Sequence, residues 1–269
     1  MRKDVRVDYL QFSSELKPAQ LFAYQRLQTD KSPNKFYKLQ MTYEHGLRVL
    51  TGNPNSEKFL YILSGQTCDD INITPQLMTQ ILNENSNISR IDFAVTVDIN
   101  IIDHIWQNRE KTVTEMYKEP LRLERGIENP NTETIYFGEQ KRRGKKGIVR
   151  VYDKGIESGI GGLWHRIELE CKRKHAQVSA KRYAIGERIE SIMNAKFRID
   201  TELYKSIMSD EVSICRIKLE KHTTQDTEIE RKMSWLMRQV KPTLQYVIDY
   251  DKQNGTNNFA MILDSLNFD

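Results

Sequence analysis

The sequence predicts an α+β fold with a central, mainly antiparallel β-sheet, flanking helices and a helical C-terminal tail. Short segments in which apolar and polar residues alternate are concentrated before residue 176, as half-buried strands require. Helical patterns lie between these segments without alternating with them one by one. From residue 176 onward the pattern is largely helical. Runs of strands followed by runs of helices are typical of α+β proteins.

Individual elements follow from local periodicity and from turn residues. Strands are predicted at residues 5–12, 38–50 with a turn at 44–46, 59–64, 89–98 and 163–171. Helices are predicted at residues 16–27, 74–82, 178–196, 201–208 and 227–249, and over most of 101–127. Thr74 and Pro75 are a cap residue and a first-turn residue for the second of these helices.

The composition describes a globular protein with a modest positive charge. Of 269 residues, 38% are hydrophobic and 29% are charged, and the net charge is +4. No apolar run approaches the roughly 20 residues that a membrane helix needs. The first residues also lack the apolar core of a signal peptide. We therefore expect a cytoplasmic protein with no membrane partner.

The cysteines and histidines do not predict a disulfide framework or a zinc site. The 3 cysteines are far apart, and the 5 histidines are scattered. If a metal binds, carboxylates would supply most of its ligands. Carboxylate oxygens favour a hard cation such as Mg²⁺ or Mn²⁺.

Residues 134–157 predict a β-hairpin with a strongly basic turn. The turn interleaves glycines with five cations, namely Lys141, Arg142, Arg143, Lys145 and Lys146. Such a turn suits a polyanion, and the second strand then presents Tyr152. A tyrosine beside a basic hairpin is what an enzyme needs to attack DNA phosphate and to hold the strand afterwards. The alternative is a solvated hairpin tip with an ordinary tyrosine.

Three predicted strands each have a polar face. These faces carry Asp92 and Asp98; Arg150, Tyr152 and Lys154; and Arg166, Glu168 and Glu170. If the strands are neighbours, the acidic groups and Tyr152 converge on one open side of the sheet. Carboxylates at close range repel one another, and a divalent cation offsets that repulsion. Tyr152 could then attack phosphorus while Lys154 or Arg150 neutralises the developing charge.

Each residue also has a structural interpretation. Asp92 could pair with Arg90 or Arg166 across strands. Glu168 and Glu170 could form the solvated face of an edge strand. Tyr152 could serve in packing alone. Spacing along the chain does not decide between these interpretations.

Several segments resemble the replication initiation factor family of plasmid and phage initiators and related conjugative-element relaxases. They are residues 89–98 (SRIDFAVTVD), 136–138 (YFG), 150–154 (RVYDK) with Glu157, and 164–170 (WHRIELE), with weaker matches at 8–10 and 63–68. The similarity covers roughly residues 5–175, and the C-terminal third matches nothing identified. It implies an antiparallel nickase fold related in function to HUH endonucleases, with metal held by Asp92, Glu168 and Glu170. Tyr152 matches the nucleophile of the R-x-Y-[DN]-K motif. The serine usual after Y-x-G is absent here.

The resulting hypothesis is a nickase that initiates rolling-circle replication through a 5′-phosphotyrosine. The alternatives are a relaxase with the same chemistry and a non-catalytic DNA-binding regulator. We expect residues 1–220 to be the catalytic domain and residues 221–269 a helical extension. Tyr152 and Lys154 are the predicted catalytic residues. The predicted DNA-binding residues are Lys141, Arg142, Arg143, Lys145, Lys146, Arg150 and Arg166. The expected partners are origin DNA with a hairpin or single-stranded nick site, a host helicase and polymerase, and a second copy of the chain.

Overall fold

The computed structural model describes residues 1, 3–114, 123–129, 132–137, 146–157, 163–208 and 241–265. The chain forms two compact units, Met1–Cys215 and Arg216–Asp269. The functions assigned above to a catalytic domain and an extension stay predictions.

A ten-stranded sheet organises the first unit. The strands of this unit are β1 (Lys3–Ser14), β2 (Arg26–Lys31), β3 (Leu39–Tyr43), β4 (Arg48–Thr51), β5 (Phe59–Ser64), β6 (Asn87–Val97), β7 (Thr112–Thr114), β8 (Leu123–Asn129), β9 (Thr132–Phe137), β10 (Gly147–Asp153), β11 (His165–Lys172) and β12 (Phe197–Ile199). In the sheet they lie in the order β2-β3-β4-β5-β1-β6-β11-β10-β9-β8, and β12 and β7 form a separate pair. Every neighbouring pair is antiparallel, which confirms the predicted fold class.

Short helices connect and flank the strands. In the first unit they are α1 (Pro18–Leu21), α2 (Gln66–Ile71), α3 (Pro75–Asn83), α4 (Ile102–Gln107), α5 (Lys154–Glu157), α6 (Lys174–Ala184), α7 (Ile189–Asn194) and α8 (Glu202–Met208). The described part of the second unit contains α9 (Lys241–Asn254) and α10 (Asn258–Ser265). The predicted cap of α3 is confirmed, because Thr74 Oγ1 accepts a hydrogen bond from the Leu77 amide at 3.2 Å. Within the described ranges, no helix is long and apolar enough to span a membrane.

The main core lies on the apolar face of the central strands. The predicted alternation of β6 is confirmed, since Ile91, Phe93, Val95 and Val97 are fully buried. The α6 helix packs over β6, and the Tyr183 and Phe93 rings meet edge to face with centroids 5.9 Å apart. Asp92, Arg150, Glu168 and Glu170 therefore lie on the opposite face of the sheet.

Two helix predictions were wrong because strand pairing overrides local periodicity. The helix predicted at residues 16–27 is reduced to α1, and Arg26–Lys31 pairs with β3 as β2. Within residues 101–127, only Ile102–Gln107 is α-helical in the part that the structure describes. Leu123–Asn129 pairs with β9 as β8, so this segment belongs to the sheet.

The helical pattern after β11 is divided more finely than predicted. The helix expected at 178–196 is two helices, α6 and α7, and Gly186 lies between them with a φ of 86°. The prediction at 201–208 is confirmed by α8. Of the helix predicted at 227–249, residues 227–240 lie outside the described residues, and the rest belongs to α9.

Candidate active site on the polar face of the sheet

The strand register brings the predicted site residues together. β6, β11 and β10 are adjacent, as the convergence of their polar faces required. Tyr152 lies opposite Arg166, and Arg150 lies opposite Glu168. On the other side of β11, Glu170 lies opposite Asp92. Side chains directly opposite each other on antiparallel strands lie on the same face, so these residues share one surface.

Tyr152 and Glu168 are in direct contact. The Tyr152 hydroxyl donates a hydrogen bond to Glu168 Oε2 at 3.0 Å, and the other carboxylate oxygen pairs with Arg150. Tyr152 is 7% exposed and Glu168 is fully buried. Burial raises the pKa of Tyr152 above its usual value, and the negative charge of Glu168 raises it further. The hydroxyl is therefore held protonated next to a carboxylate that can accept its proton.

Asp92 and Glu170 form a second group in which cationic side chains balance the carboxylates. Arg90 Nε donates to Asp92 Oδ1 at 2.9 Å, and Arg90 also pairs with Glu170 at 3.1 Å. Lys172 Nζ lies 3.1 Å from the other Glu170 oxygen. Burial raises the pKa of Asp92 to about 7, opposed by Arg90 and assisted by the charges of Glu168 and Glu170. The proposed pairing of Asp92 with Arg90 is thus observed.

The groups converge as predicted, but the prediction that this side of the sheet is open was wrong. Asp92, Glu168 and Glu170 have relative exposures of 1%, 0% and 0%. Their cationic partners are longer and shield the carboxylates from water, while themselves remaining about a quarter exposed. β11 also lies between β6 and β10, so Glu168 and Glu170 are not the solvated face of an edge strand.

The three carboxylates fit a hard cation by their chemistry. Within the described ranges, no group of three or more His, Cys, Asp or Glu side chains is arranged as a ready metal site. Arg90, Arg150 and Lys172 balance the carboxylates in this arrangement. Burial is the largest cause of the raised pKa of Asp92, and a cation close to it would stabilise the ionised form. All-oxygen donors suit Mg²⁺ or Mn²⁺, and this metal stays a prediction.

The other predicted site residues lie in different environments. Lys154 Nζ lies 6.0 Å from the centre of the Tyr152 ring and also pairs with Glu157. Arg166 is buried, and it donates to Asp8 at 2.6 Å and to Thr96 at 2.9 Å. Lys146 is half-buried and immediately precedes β10. Lys141, Arg142, Arg143 and Lys145 lie outside the described residues.

Sequence reasoning missed the contacts of Asp8 and Tyr9, and for Arg90 it indicated only the pairing with Asp92. Asp8 sits at a register shift of β1 and pairs with Arg166. The Arg90 guanidinium stacks 4.1 Å from the centre of the Tyr9 ring while it bridges Asp92 and Glu170. Arg90 and Asp92 are two positions apart on one strand, a spacing that indicated contact between them. Nothing in the spacing indicated Asp8, because its partner is 158 residues away.

The fold is shared with a protein of known structure. The fold is similar to a solved structure titled "Structure of Rolling Circle Replication Initiator Protein from Geobacillus stearothermophilus". The TM-score is 0.57 at 20% sequence identity, over 74% of this chain and 88% of that chain. No curated protein matches the chain significantly.

A match between the sequence and a family model identifies the family. The family model described as replication initiation factor matches residues 86–263, more than half of the chain. The chain therefore belongs to the replication initiation factor family, which confirms the resemblance. The match extends well beyond residue 175 and includes most of the C-terminal third, for which no relative was expected. It begins after the weaker similarities at residues 8–10 and 63–68.

Proposed function

We propose that this protein is a metal-dependent, site-specific DNA nickase that starts rolling-circle replication. Tyr152 cuts one strand of origin DNA, remains joined to the 5′ phosphate and frees a 3′ hydroxyl that primes synthesis. The observation that carries this proposal is the hydrogen bond of Tyr152 to Glu168, beside Asp92 and Glu170. Membership of the family supports the role in replication.

The proton of Tyr152 has a defined acceptor. The raised pKa makes the phenol a poor nucleophile unless a base removes its proton as attack begins. Glu168 Oε2, at 3.0 Å, is within the distance that proton transfer requires. The Tyr152 oxygen then forms a bond to phosphorus and the bond from phosphorus to the 3′ oxygen breaks. That oxygen takes a proton from water and leaves as the hydroxyl.

Arg150 and Lys154 are placed to offset the charge that develops on the phosphate. Arg150 Cζ lies 5.6 Å from the centre of the Tyr152 ring, and Lys154 Nζ lies 6.0 Å from it. Arg150 Nε is buried and has no hydrogen-bond partner within the part of the chain that the structure describes. A buried donor without a partner is costly, so a phosphate oxygen at this position would satisfy it.

Asp92, Glu168 and Glu170 would hold Mg²⁺ or Mn²⁺. When bound, such a cation polarises a phosphate oxygen as a Lewis acid. It would also supply the positive charge that the raised pKa of Asp92 indicates is favourable. Oxygen ligands on neighbouring strands are the donor set that a hard cation prefers.

The partner that this chemistry requires is origin DNA with an unpaired nick site. The solved structure with the same fold is titled a rolling circle replication initiator, which supports initiation over conjugative transfer. A relaxase would use the same residues. A helicase, a polymerase and a second copy of the chain remain proposed partners.

A nicking assay tests this function. Supercoiled plasmid carrying the protein's own origin is incubated with Mg²⁺ or Mn²⁺, or with a chelator. We expect open-circular product only with the metal, and a 3′ end that a polymerase extends. Metal-independent binding without any nicking would instead favour the non-catalytic regulator.

A further inference from the structure

A cleft of about 650 Å³ lies beside the Tyr152 site. Arg166, which is directly opposite Tyr152 in the register, lines it, as does Lys154. Gln66 and Asp69 of α2 and the half-buried Trp164 provide further walls. Ligand pockets of roughly 300–1,000 Å³ are typical of small-molecule sites, so one nucleotide fits here.

The charge of the cleft is balanced, unlike that of a phosphate site. Its carboxylates are Asp4, Asp8 and Asp69, and its cations are Arg6, Lys154 and Arg166. Arg6 pairs with Asp69, and Arg166 pairs with Asp8 at 2.6 Å. A phosphate bound here would meet as many negative as positive groups. Phosphate-binding surfaces owe their affinity to an excess of positive charge.

The walls of the cleft match the edge and the face of a nucleobase. Base edges present donors and acceptors together, and guanidinium and carboxylate groups supply both complements. Arg166 uses two of its five N–H groups on Thr96 and Asp8. The Trp164 ring offers a surface on which an unpaired base can stack.

We infer that this cleft holds the unpaired base of a nucleotide next to the scissile phosphate and gives the enzyme a base preference at that position. The inference rests on the proposed function, because it takes Tyr152 as the point of attack. Trp164 stacks on the base, and the carboxylate–guanidinium pairs bind its edge.

Covalent capture from a randomised substrate tests the inference. Hairpin oligonucleotides with a randomised single-stranded loop are incubated with the protein and Mn²⁺, and the strands that become covalently attached are sequenced together with the released fragments. The variants are Trp164→Ala, Trp164→Leu and Trp164→Phe. Trp106→Ala, on α4 and outside the cleft, is the matched control.

Wild-type protein should enrich one base at one position next to the nick. Trp164→Ala and Trp164→Leu should lower that enrichment, because a base that is no longer stacked is not held with its edge against the carboxylate–guanidinium pairs. A decrease of about fivefold or more is expected, the lower range for the loss of one base–aromatic stack. Trp164→Phe should retain most of it, and Trp106→Ala all of it. Trp164→Leu keeps an apolar side chain in the cleft, so its base enrichment tests the inference if Trp164→Ala does not fold.

Two results would overturn the inference while leaving the nickase in place. One is unchanged enrichment in Trp164→Leu, and the other is an equal loss at every position of the loop. If the wild-type protein binds the pool but captures no strand, the proposed function itself is wrong, and this inference with it.

Discussion

Glu168 differs from the neighbouring Glu170 in what each carboxylate contacts. One oxygen of Glu168 accepts a hydrogen bond from the Tyr152 hydroxyl at 3.0 Å, and the other pairs with Arg150. Glu170 contacts Arg90 and Lys172, both at 3.1 Å. Two glutamates that look equivalent in the sequence therefore have different contacts, and of the two only Glu168 is hydrogen-bonded to the proposed nucleophile.

Changing Glu168 to Gln should slow the chemical step more than it weakens metal binding. The amide keeps the size of the side chain but accepts a proton poorly, so single-turnover adduct formation at saturating Mn²⁺ should fall by about 10²–10⁴-fold. Glu170→Gln is the matched control, and it should mainly raise the Mn²⁺ concentration required. DNA affinity should stay equal or improve in both variants. A Glu168→Gln variant with the parent's rate would exclude the proposed proton transfer.

His175 is a half-buried titratable group away from the candidate site. Burial, together with the positive charges of Lys196, Lys146 and Lys174, lowers its pKa to about 4. Its Nδ1 atom is buried and has no hydrogen-bond partner among the described residues. The folded protein therefore favours the neutral imidazole, whereas the unfolded chain binds a proton near pH 6.5.

His175 should make stability depend on pH in the mildly acidic range. Its stabilising effect is complete above pH 6.5 and is lost as the pH falls towards 4, because the unfolded state then binds more protons. His175→Gln should reduce the stability lost between pH 7 and pH 5 by about 1 kcal/mol, allowing for solvent screening of a half-exposed group. Urea unfolding at both pH values measures this. Equal losses in the two proteins would contradict it.

At the scale of elements, Gly147 determines how closely β10 and β11 approach where the two strands start to pair. Its φ is 108°, and it lies opposite Cys171. A Cβ atom at this position would lie 1.8 Å from the Glu170 carbonyl oxygen. Only glycine combines this backbone conformation with this contact. The residue thus fixes the pairing that places Arg150 opposite Glu168.

Gly147→Ala should destabilise the fold far more than a glycine substitution that adds strain alone. We expect a loss of about 3 kcal/mol or more in the free energy of unfolding, from backbone strain together with the overlap. Gly186→Ala is the matched control: its φ is 86°, but nothing lies within 4 Å of the added Cβ. It should cost about 1 kcal/mol. Similar losses in the two variants, measured by denaturant unfolding, would contradict the account.

The segment between β9 and β10 that is predicted to form a basic turn should affect DNA affinity without affecting the chemical step. Changing Arg142, Arg143, Lys145 and Lys146 to serine should flatten the plot of log affinity against log salt, by about 0.7–0.9 for each phosphate that is no longer neutralised. Adduct formation at saturating DNA should survive, because Tyr152 lies on β10. The control removes Arg26, Lys31, Lys35 and Lys38 at the opposite edge of the sheet. An unchanged salt slope in the turn variant would place the DNA-binding surface elsewhere.

At the scale of the whole molecule, the polar and apolar faces of single strands could be predicted from the sequence, but the register between strands could not. The alternation of β6 and β11 indicated their polar and apolar faces, because a period of two is a local property. Register is not local: that Tyr152 lies opposite Arg166, and Glu170 opposite Asp92, depends on pairing between distant segments. For the same reason β8 was mistaken for part of a helix.

The burial of the site was the least predictable feature. Charged residues at alternate positions of a strand usually face water, so the site was predicted to be open to solvent. Here Arg90, Arg150 and Lys172 cover the three carboxylates by pairing with them. This cover depends on strands that come from distant segments and on side-chain conformations that spacing alone does not encode.

The most direct test of the account is to locate the covalent bond to DNA. Wild-type protein is incubated with a nicking substrate and Mn²⁺, denatured and digested, and the peptide that carries nucleotide is identified by mass spectrometry. We predict the bond on Tyr152, no adduct from Tyr152→Phe with DNA binding retained, and a normal adduct from Tyr136→Phe, which lies opposite Arg150 on β9. An adduct formed by Tyr152→Phe at the parent's rate, or nucleotide found on another residue, would contradict this prediction.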